Sequence, residues 1–345
     1  MRMHGTPIPT RRRISAVGAA VLALGLAWAG ALPAEAQQKP LTLRLASGAA
    51  ADQALAKAWV KFAELVKEKS KGRLIVETYL ASSLFEERTA VEAVLNGTLG
   101  IASASNQNYG AFTDAFLFMD MPYAIESAEG LRKVLDGPIG QEIREKVEKK
   151  PGLKILMTPD NGGFRPLYNT RREIRVPADM KGLKFRITAS PVEAALFRAW
   201  GASATPMGAP ETFTGIQTGT IDGHAFNWTW AYKLKHFDIL KFATDVNYAV
   251  NTSVATMRLE AFNKLPKDLQ EVLLAAGKEA EGFSITTDAA EVDEARQGAL
   301  KAGIKIYTPT PAEMDQWRSA AQAVYTQFRD RVSPEYIAKV KQAQR

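Results

Sequence analysis

The segment 41–79 changes its hydrophobic period twice, and this alternation constrains the fold more than any other feature of the chain. Apolar side chains occupy every second position over 41–46, which predicts a strand. Over 52–69 they recur at helical spacing, and 74–79 is again extended in character. A strand, a helix and a second, parallel strand form the repeating unit of an α/β sheet.

The same alternation continues to the end of the chain. Helices are predicted over 86–95, 191–200, 210–217, 227–236, 267–302 and 311–329, and strands over 99–104, 154–157, 164–169, 183–188, 221–226, 246–257 and 304–307. Ser190 and Thr310 each precede a proline and a glutamate three positions on, which is typical of helix starts. The turn-rich stretch 159–163 predicts a flexible crossover between two units.

The first 36 residues have the pattern of an export signal. Three arginines at 11–13 precede an uncharged apolar run over 14–32, and 34–36 reads Ala-Glu-Ala, a small-x-small cleavage pattern. An uncleaved transmembrane anchor is the alternative, since the run approaches the roughly 20 residues that span a bilayer. The adjacent arginines are compatible with general (Sec) secretion and with the twin-arginine route. We expect a mature chain that starts near Gln37 and is free in the periplasm.

Composition excludes several kinds of site and partner. The chain has no cysteine, which removes disulfides, cysteine nucleophiles and a lipid-modified cysteine at the cleavage site. With only three histidines besides, we expect no metal site of the Cys/His kind and no cofactor. The formal charge is +7, of which about +4 remains without the signal. That excess is spread along the chain, so nucleic acid is not an expected partner.

Length indicates two domains. The mature chain would hold 309 of the 345 residues, more than a single hydrophobic core usually accommodates. The expected class is therefore α/β with two lobes.

No motif of the common enzyme classes occurs in the sequence. There is no Gly-x-Ser-x-Gly elbow, no phosphate-binding Gly-x-x-x-x-Gly-Lys loop and no His-Glu-x-x-His helix. Asp222 and His224 share one face of a predicted strand but have no nucleophile beside them. We therefore expect a binding protein and not an enzyme, with a periplasmic enzyme as the less favoured alternative.

Two arginines are the best candidates for holding a ligand. Arg165 and Arg186 lie in predicted strands, and a guanidinium pairs bidentately with a carboxylate. An ordinary ion pair or a surface position is the competing explanation for both. Phe164, Phe226 and Trp228 add aromatic side chains nearby, which belong either to the core or to a cleft that accepts an apolar body.

Polar residues follow two of the predicted strands in the first half of the chain. Ser47 comes after the first strand, and Ser105 and Asn106 come after the strand at 99–104. Ligands of open α/β sheets gather at the carboxyl ends of strands, so these three are candidate ligand contacts. Ordinary turn chemistry explains them as well.

An ordered set of short motifs resembles one known family, the solute-binding proteins of tripartite ATP-independent periplasmic (TRAP) transporters, of the DctP type. The resemblance covers essentially the whole mature chain and rests on Gly182-Leu183-Lys184-Phe185-Arg186, Ser190-Pro191-Val192, Gly201-Ala202, Pro206-Met207, Glu211-Thr212-Phe213, Gln217, Gly219, Ile221-Asp222-Gly223 and Leu265-Pro266-Lys267-Asp268-Leu269-Gln270.

The resemblance implies a two-lobed periplasmic-binding-protein fold, type II-like, with helices that cross between the lobes. It implies lobe I at 37–160 plus 249–291 and lobe II at 161–248 plus 292–345. The partners would be a small organic acid and the small and large membrane permease subunits, and the receptor would be a monomer.

The resemblance also implies roles for individual residues. An arginine at the position of Arg186 makes the main salt bridge to the ligand carboxylate in that family, and one at the position of Arg165 supports it. Positions matching Phe226, Ser47 and Ser105 commonly touch the ligand.

Two departures from the family pattern bear on specificity. The sequence after Asp222 reads Gly-His-Ala-Phe-Asn-Trp, and Ala189 replaces a residue that is polar in sugar-acid binders. These departures argue against sialic acid and favour a less polar monocarboxylate, apolar or aromatic. Another periplasmic receptor for anions or amino acids stays an alternative, and an amino-acid receptor would need an acidic partner near Arg186.

Overall fold

The computed structural model describes residues 39–345, so the predicted export signal and its alternative lie outside the described part. Pro40–Arg345 forms one compact unit. It contains two six-stranded sheets. None of the described helices is both long enough and apolar enough to cross a membrane.

Strands and helices alternate through most of this unit. The strands are β1 (Leu41–Ala46), β2 (Leu74–Tyr79), β3 (Ile101–Ser105), β4 (Leu153–Met157), β5 (Asp160–Phe164), β6 (Leu167–Asn169), β7 (Lys184–Ile187), β8 (Ser203–Pro206), β9 (Gly223–His224), β10 (Phe242–Thr244), β11 (Val250–Arg258) and β12 (Lys305–Tyr307). The helices are α1 (Ala54–Lys69), α2 (Glu87–Leu95), α3 (Leu117–Asp120), α4 (Ala128–Asp136), α5 (Pro138–Lys149), α6 (Pro191–Ala199), α7 (Ala209–Gln217), α8 (Trp228–Lys233), α9 (Leu259–Asn263), α10 (Lys267–Lys301), α11 (Pro311–Gln327) and α12 (Pro334–Ala343).

The first sheet has the order β2-β1-β3-β11-β4, with β5 paired to β11. β1 pairs in parallel with β2 and with β3, as the strand-helix-strand pattern predicts. β11 runs antiparallel between β3 and β4. The chain therefore returns to the first sheet after it has built most of the second.

The second sheet has the order β12-β10-β6-β9-β7-β8. β7 lies between β8 and β9 and is parallel to both, so its middle residues are held on either side by backbone hydrogen bonds. The side chains of Phe185 and Ile187 are fully buried in the core of this region. Arg186, between them, points to the other face of the pleat.

Helix α10 connects elements of both sheets. It spans 35 residues, about 50 Å at 1.5 Å per residue, and packs against α1, β4, β5 and α8. Three of its carboxylates accept backbone N–H groups from other elements: Glu281 from Thr158, Asp288 from Gly162, and Glu291 from Ala54. The stretch that leads from the first sheet to the second is thus hydrogen-bonded to this helix.

Several predicted boundaries are wrong. The stretch 159–163 is not a flexible crossover, because Asp160–Phe164 pairs with β11 as a strand. The strand predicted over 164–169 is two strands in different sheets, separated at Arg165 and Pro166. Pro166 has no N–H group and cannot continue a ladder. The strand predicted over 221–226 shortens to Gly223–His224, and helix α12 lies beyond the predicted last helix.

Candidate functional site

Arg186 stands at the centre of the candidate site. Its Nε donates a hydrogen bond to the carbonyl oxygen of Met207 (2.9 Å). Its guanidinium carbon lies 4.2 Å from the ring centroid of Phe226, a cation–π arrangement. The side chain is 4% exposed, yet among the described residues no carboxylate lies within ion-pair distance of it, and its buried Nη1 has no hydrogen-bond acceptor.

The charge of Arg186 is retained despite this burial. Loss of hydration disfavours the cation and lowers the pKa of Arg186 to about 10. A pKa of that size still leaves the guanidinium protonated at neutral pH. A buried positive charge that lacks an ion-pair partner among the described residues is a natural binding point for an anion.

Arg165 differs from Arg186 in that its charge is neutralised within the protein. The sequence predicted that Arg165 lies in a strand, but the residue lies in the connection between β5 and β6. Its Nη2 is 2.7 Å from Oε1 of Glu193, and both side chains are almost completely buried, at 1% and 2% exposed. Its Nε donates to the carbonyl oxygen of Ala225. Glu193 also accepts hydrogen bonds from the Tyr248 hydroxyl (2.5 Å) and from Thr188.

Both arginines line one cavity of about 270 Å³, a size that suits a small ligand. Residues of both sheets and their connections form its walls: Gly48, Ser82, Glu86, Glu87, Arg88, Ser105, Asn108, Asn161, Arg165, Arg186, Thr188, Ala189, Pro206, Met207, Gly208, Ala209, Pro210, Glu211, Phe226, Trp230 and Asn251. Of the sequence candidates, the structure brings together Arg165, Arg186, Phe226 and Ser105 here.

Two polar candidates from the first sheet do not line the cavity. Ser47 is buried, and its hydroxyl oxygen accepts hydrogen bonds from the N–H of Ala49 and from the Ser103 hydroxyl. Asn106 is buried as well, with its amide donating to Asp120 (3.0 Å). The bond from Ala49 to Ser47 is the turn chemistry that competed with the ligand interpretation, whereas Asn106 joins elements that are distant in the sequence, because it also accepts the N–H of Thr252.

Two aromatic candidates also lie elsewhere. Phe164 is in β5 and packs against the core without lining the cavity. Trp228 packs edge-on against Tyr168, with ring centroids 5.2 Å apart, and the guanidinium of Arg296 lies over it at 4.6 Å. Trp228 is therefore a core residue.

Trp230 takes the place in the cavity wall that was predicted for Trp228. Asn227 caps helix α8 by accepting the N–H of Trp230 (3.0 Å). Residues two apart on a helix point about 200° apart, so only one of the two tryptophans can face the cavity. The indole N–H of Trp230 donates to Oδ1 of Asn161 (2.7 Å). Asn227 as the N-cap of α8 is the sequence signal that could have predicted which of the two tryptophans faces the cavity.

Asn161 supplies a second hydrogen-bond donor that sequence reasoning missed. It lies in β5 and lines the cavity, and its buried Nδ2 has no acceptor among the described residues. It sits in the turn-rich stretch that was predicted to be a loop. The Nδ2 group of Asn161 can therefore donate a hydrogen bond to an acceptor atom of a ligand in the cavity.

A buried histidine pair supports the Phe226 segment. The N–H of Phe226 donates to Nδ1 of His224 (3.1 Å), so neutral His224 carries its proton on Nε2. That proton is directed at Nδ1 of His236, 2.9 Å away. Burial lowers the pKa of His236 to about 3, and the pKa of His224 is well below its usual value for the same reason. Both rings are therefore neutral and structural at pH 7.

The structure gives no support to an Asp222–His224 catalytic pair. The carboxylate of Asp222 binds Arg171 (2.7 Å) and the backbone N–H of Lys184 (2.9 Å). The ring of His224 is committed to Phe226 and His236. Within residues 39–345, no cluster of acidic, histidine or cysteine side chains has the arrangement of a metal site.

Glu87 brings a carboxyl group to the same cavity. It is the first residue of α2, and its Oε2 accepts three hydrogen bonds, from the N–H and hydroxyl of Ser105 and from the amide of Asn108. Burial raises the pKa of Glu87, while these hydrogen bonds and the charge of Arg186 oppose that effect. No sequence signal singled Glu87 out, because glutamate in the first turn of a helix is common.

A family model described as bacterial extracellular solute-binding protein, family 7, matches residues 45–331. The chain belongs to this family. The prediction of a binding protein and not an enzyme is thereby confirmed, and so is the resemblance to TRAP solute-binding proteins.

Individual relatives of this solute-binding protein agree with the family match. It is 32% identical over 235 residues to a solute-binding protein of Verminephrobacter eiseniae, covering 68% of this chain and 69% of the relative. It is 29% identical over 272 residues to the 2,3-diketo-L-gulonate-binding periplasmic protein of Escherichia coli, covering 78% and 80%.

A solved structure extends the agreement to three dimensions. A TRAP periplasmic solute-binding protein of Shewanella oneidensis, crystallised with bound succinate, superposes with a TM-score of 0.85 at 25% identity. The match covers 89% of this solute-binding protein and 100% of the other chain. The predicted two-lobed α/β fold is confirmed.

Proposed function

We propose that this protein is the periplasmic receptor of a TRAP-type transporter and that Arg186 binds the carboxylate of a small organic acid. One observation carries the proposal: the buried cation of Arg186 lines the cavity with an Nη1 donor that has no acceptor among the described residues. Asn161, whose Nδ2 is equally without an acceptor there, adds a second donor. An anionic oxygen pair complements these groups.

The ligand is a monocarboxylate with an apolar or aromatic face. Phe226 and Trp230 line the cavity and lie nearly parallel, with ring centroids 6.1 Å apart and planes 25° from each other. Such rings favour contact with the carbon skeleton of a ligand. The relatives bind acids of different kinds, since 2,3-diketo-L-gulonate and succinate are named for two of them. The relatives therefore support the binding of an organic acid in general. The kind of acid is inferred from the side chains that line this cavity.

Arg165 supports the site without binding the anion by itself. Its ion pair with Glu193 fixes both side chains, and Glu193 in turn holds Thr188, which lines the cavity. Arg186 is then the buried cation of the cavity that has no carboxylate within ion-pair distance among residues 39–345.

Capture proceeds by closure of the cleft between lobe I, at 37–160 plus 249–291, and lobe II, at 161–248 plus 292–345. The two walls approach closely, since a Cβ atom added to Gly208 would collide with the carboxylate of Glu86. Closure removes water from the ion pair and strengthens it as the local dielectric falls. The closed form is the one delivered to the small and large permease subunits.

The receptor acts as a monomer in the periplasm after removal of residues 1–36, exported by the Sec or twin-arginine route without lipid attachment. The three arginines at 11–13, the uncharged apolar run over 14–32 and the Ala-Glu-Ala at 34–36 support the export part of this proposal.

Calorimetric titration of the purified protein against a panel of organic acids tests the function. At least one monocarboxylate should bind, and Arg186→Ala should weaken that binding strongly. Arg198→Ala is the matched control, because Arg198 is an exposed arginine of the same lobe that does not line the cavity. Equal affinity of the Arg186→Ala variant and the wild type would overturn the proposal.

A further inference from the structure

The cavity wall next to Glu87 presents hydrogen-bond acceptors. The hydroxyl of Ser105 donates to Oε2 of Glu87 (2.7 Å). The amide of Asn108 donates to the same Oε2 (2.5 Å) and to Oγ of Ser105 (2.9 Å). An amide NH₂ has two protons and a hydroxyl has one, so all the side-chain donors of Ser105 and Asn108 are used.

The oxygen atoms of this wall that can still form hydrogen bonds with a ligand are acceptors. Oε1 of Glu87 accepts no hydrogen bond from the described residues, and Oδ1 of Asn108 likewise accepts none. Glu86 and Glu211 add two more carboxylates to the lining. Arg88 is the cation that this wall contributes, and it is mostly exposed and paired with Glu92 (3.3 Å). A ligand group that approaches Glu87 therefore meets acceptors and negative charge.

The cavity is thus polarised between two kinds of lining group. Arg186 and Asn161 offer donors without acceptors, whereas Glu87 and Asn108 offer acceptors without donors. Building on the carboxylate site proposed above, we propose that Glu87 selects acids whose far end carries a hydrogen-bond donor, either a hydroxyl or an ammonium group. The same wall rejects a second carboxylate.

The rejection follows from electrostatics in a site with little water. A second carboxylate beside Glu87 would place two carboxyl groups together without a free side-chain donor between them, which is costly where the dielectric is low. A hydroxyl or ammonium group at the same place donates to a charged acceptor, and such hydrogen bonds are the strong kind.

Trp230 narrows the space in front of Glu87. A Cβ atom added to Gly48 would lie 3.1 Å from the Trp230 ring and 3.5 Å from Cγ of Glu87. Gly48, the indole of Trp230 and the side chain of Glu87 therefore lie close together, and a larger residue at position 48 would crowd this part of the cavity wall.

Four-carbon acids that differ at one end test this directly. Butanoate, 4-hydroxybutanoate, 4-aminobutanoate and succinate end in methyl, hydroxyl, ammonium and carboxylate, and the five- and six-carbon series repeat the comparison at greater reach. Titrated calorimetrically against the wild-type protein, the hydroxy or the amino member should bind about tenfold or more tightly than the methyl and dicarboxylate members of the best-binding length. Which of the two binds identifies the donor.

Glu87→Gln keeps the shape of the side chain but replaces one acceptor by a donor. In this variant the preference should disappear, with weaker binding of the donor-bearing acid and relatively tighter binding of the dicarboxylate. Glu92→Gln, on the exposed side of the same helix, is the matched control and should leave the ranking unchanged.

Failure of this inference differs from failure of the proposed function. If acids bind in an Arg186-dependent manner but the dicarboxylate binds as tightly as the donor-bearing acids, the acid receptor stands and the role of Glu87 is wrong. An unchanged ranking in Glu87→Gln has the same meaning. The wild-type series decides the matter by itself if Glu87→Gln does not fold.

Discussion

Two arginines in one cavity have opposite electrostatic situations. The guanidinium of Arg165 is paired with Glu193, donates to a backbone carbonyl and lies among further hydrogen bonds to Tyr248 and Thr188. Arg186 donates to one backbone carbonyl and has no carboxylate within ion-pair distance among residues 39–345. A buried charge that is paired within the fold is costly to unpair, and a buried charge without a partner is available to a ligand.

The comparison also explains why burial alone does not identify a binding residue. Arg165 is the more buried of the two, at 1% exposed against 4% for Arg186. The difference lies in the partners: breaking a buried pair leaves a bare charge, whereas removing an unpaired charge leaves nothing uncompensated. Stability measurements and binding measurements should therefore respond to different residues.

The largest expected effect is on the stability of the Arg165 cluster. Glu193→Gln removes the negative charge beside Arg165 and should lower the free energy of unfolding by about 3–5 kcal/mol. Urea denaturation of the ligand-free protein measures this. Glu173→Gln is the control, because Glu173 forms an exposed pair with Arg175 and its loss should hardly change the free energy of unfolding. Similar values for the two variants would remove the distinction between the arginines.

The next effect is on ligand affinity at Arg186. Arg186→Met should weaken binding of the cognate acid by about 2–5 kcal/mol, and Arg186→Lys should weaken it too, because a lysine lacks the bidentate fork. Ligand-free Arg186→Met should be at least as stable as the wild type, since the variant removes an unpaired buried charge. A variant that loses stability as Glu193→Gln does would contradict the comparison.

The free energy of unfolding should depend on pH through Asp120, which lies next to the Arg165 cluster and not next to Arg186. Asp120 accepts a hydrogen bond from Ser190 (2.5 Å) at the edge of the Arg165 cluster, and burial raises the pKa of Asp120 to about 7. The folded protein therefore binds a proton here that the unfolded chain releases near pH 4. Stability should fall as pH rises from about 4 to 7, by up to about 1.4 kcal/mol per pH unit for this group.

Asp120→Asn should flatten that dependence, measured as the free energy of unfolding from pH 5 to pH 8. Burial also raises the pKa of Asp288 to about 7, so part of the slope should remain. Equal slopes in the variant and the wild type would mean that Asp120 is ionised in the folded protein at these pH values.

The smallest effect concerns the aromatic residues. Phe226→Leu removes the ring under the guanidinium of Arg186 and should weaken acid binding by about 1 kcal/mol. Trp228→Phe should change affinity by less than that, because Trp228 packs against Tyr168 away from the cavity. Calorimetry on both variants with one acid sharpens the assignment, and the reverse order of effects would overturn it.

Elements with strong local signals were predicted well. The strand-helix-strand unit at the start, the Ser190 cap of α6 and the capping box of Thr310 were all confirmed. Predictions that depended on neighbouring strands were less accurate. The stretch 160–164 contains two glycines at positive φ and looks like a loop in sequence, but β11 supplies the partner that makes it a strand.

The candidate site follows the same division. Arg186 was predicted from its strand pattern and from the family resemblance, and Phe226 and Ser105 line the same cavity as Arg186. Trp230 was missed because which helical face meets the cavity depends on packing. Asn161 was missed because its stretch looks like a loop until β11 pairs with it, and Glu87 because a glutamate in the first turn of a helix is common. Ser47, Asn106, Phe164 and Trp228 were candidates by position along the chain but are used in the core or in turns.

The sequence by itself determined the α/β class, the family and the presence of arginines suited to a carboxylate, because period, caps and ordered motifs are local properties of the chain. Only the tertiary structure decided which arginine lacks an ion-pair partner among the described residues. Glu193 is 28 residues from Arg165 in the chain and 7 from Arg186, yet it pairs with the more distant one. Charge pairing depends on distances in space, which the folded chain alone sets.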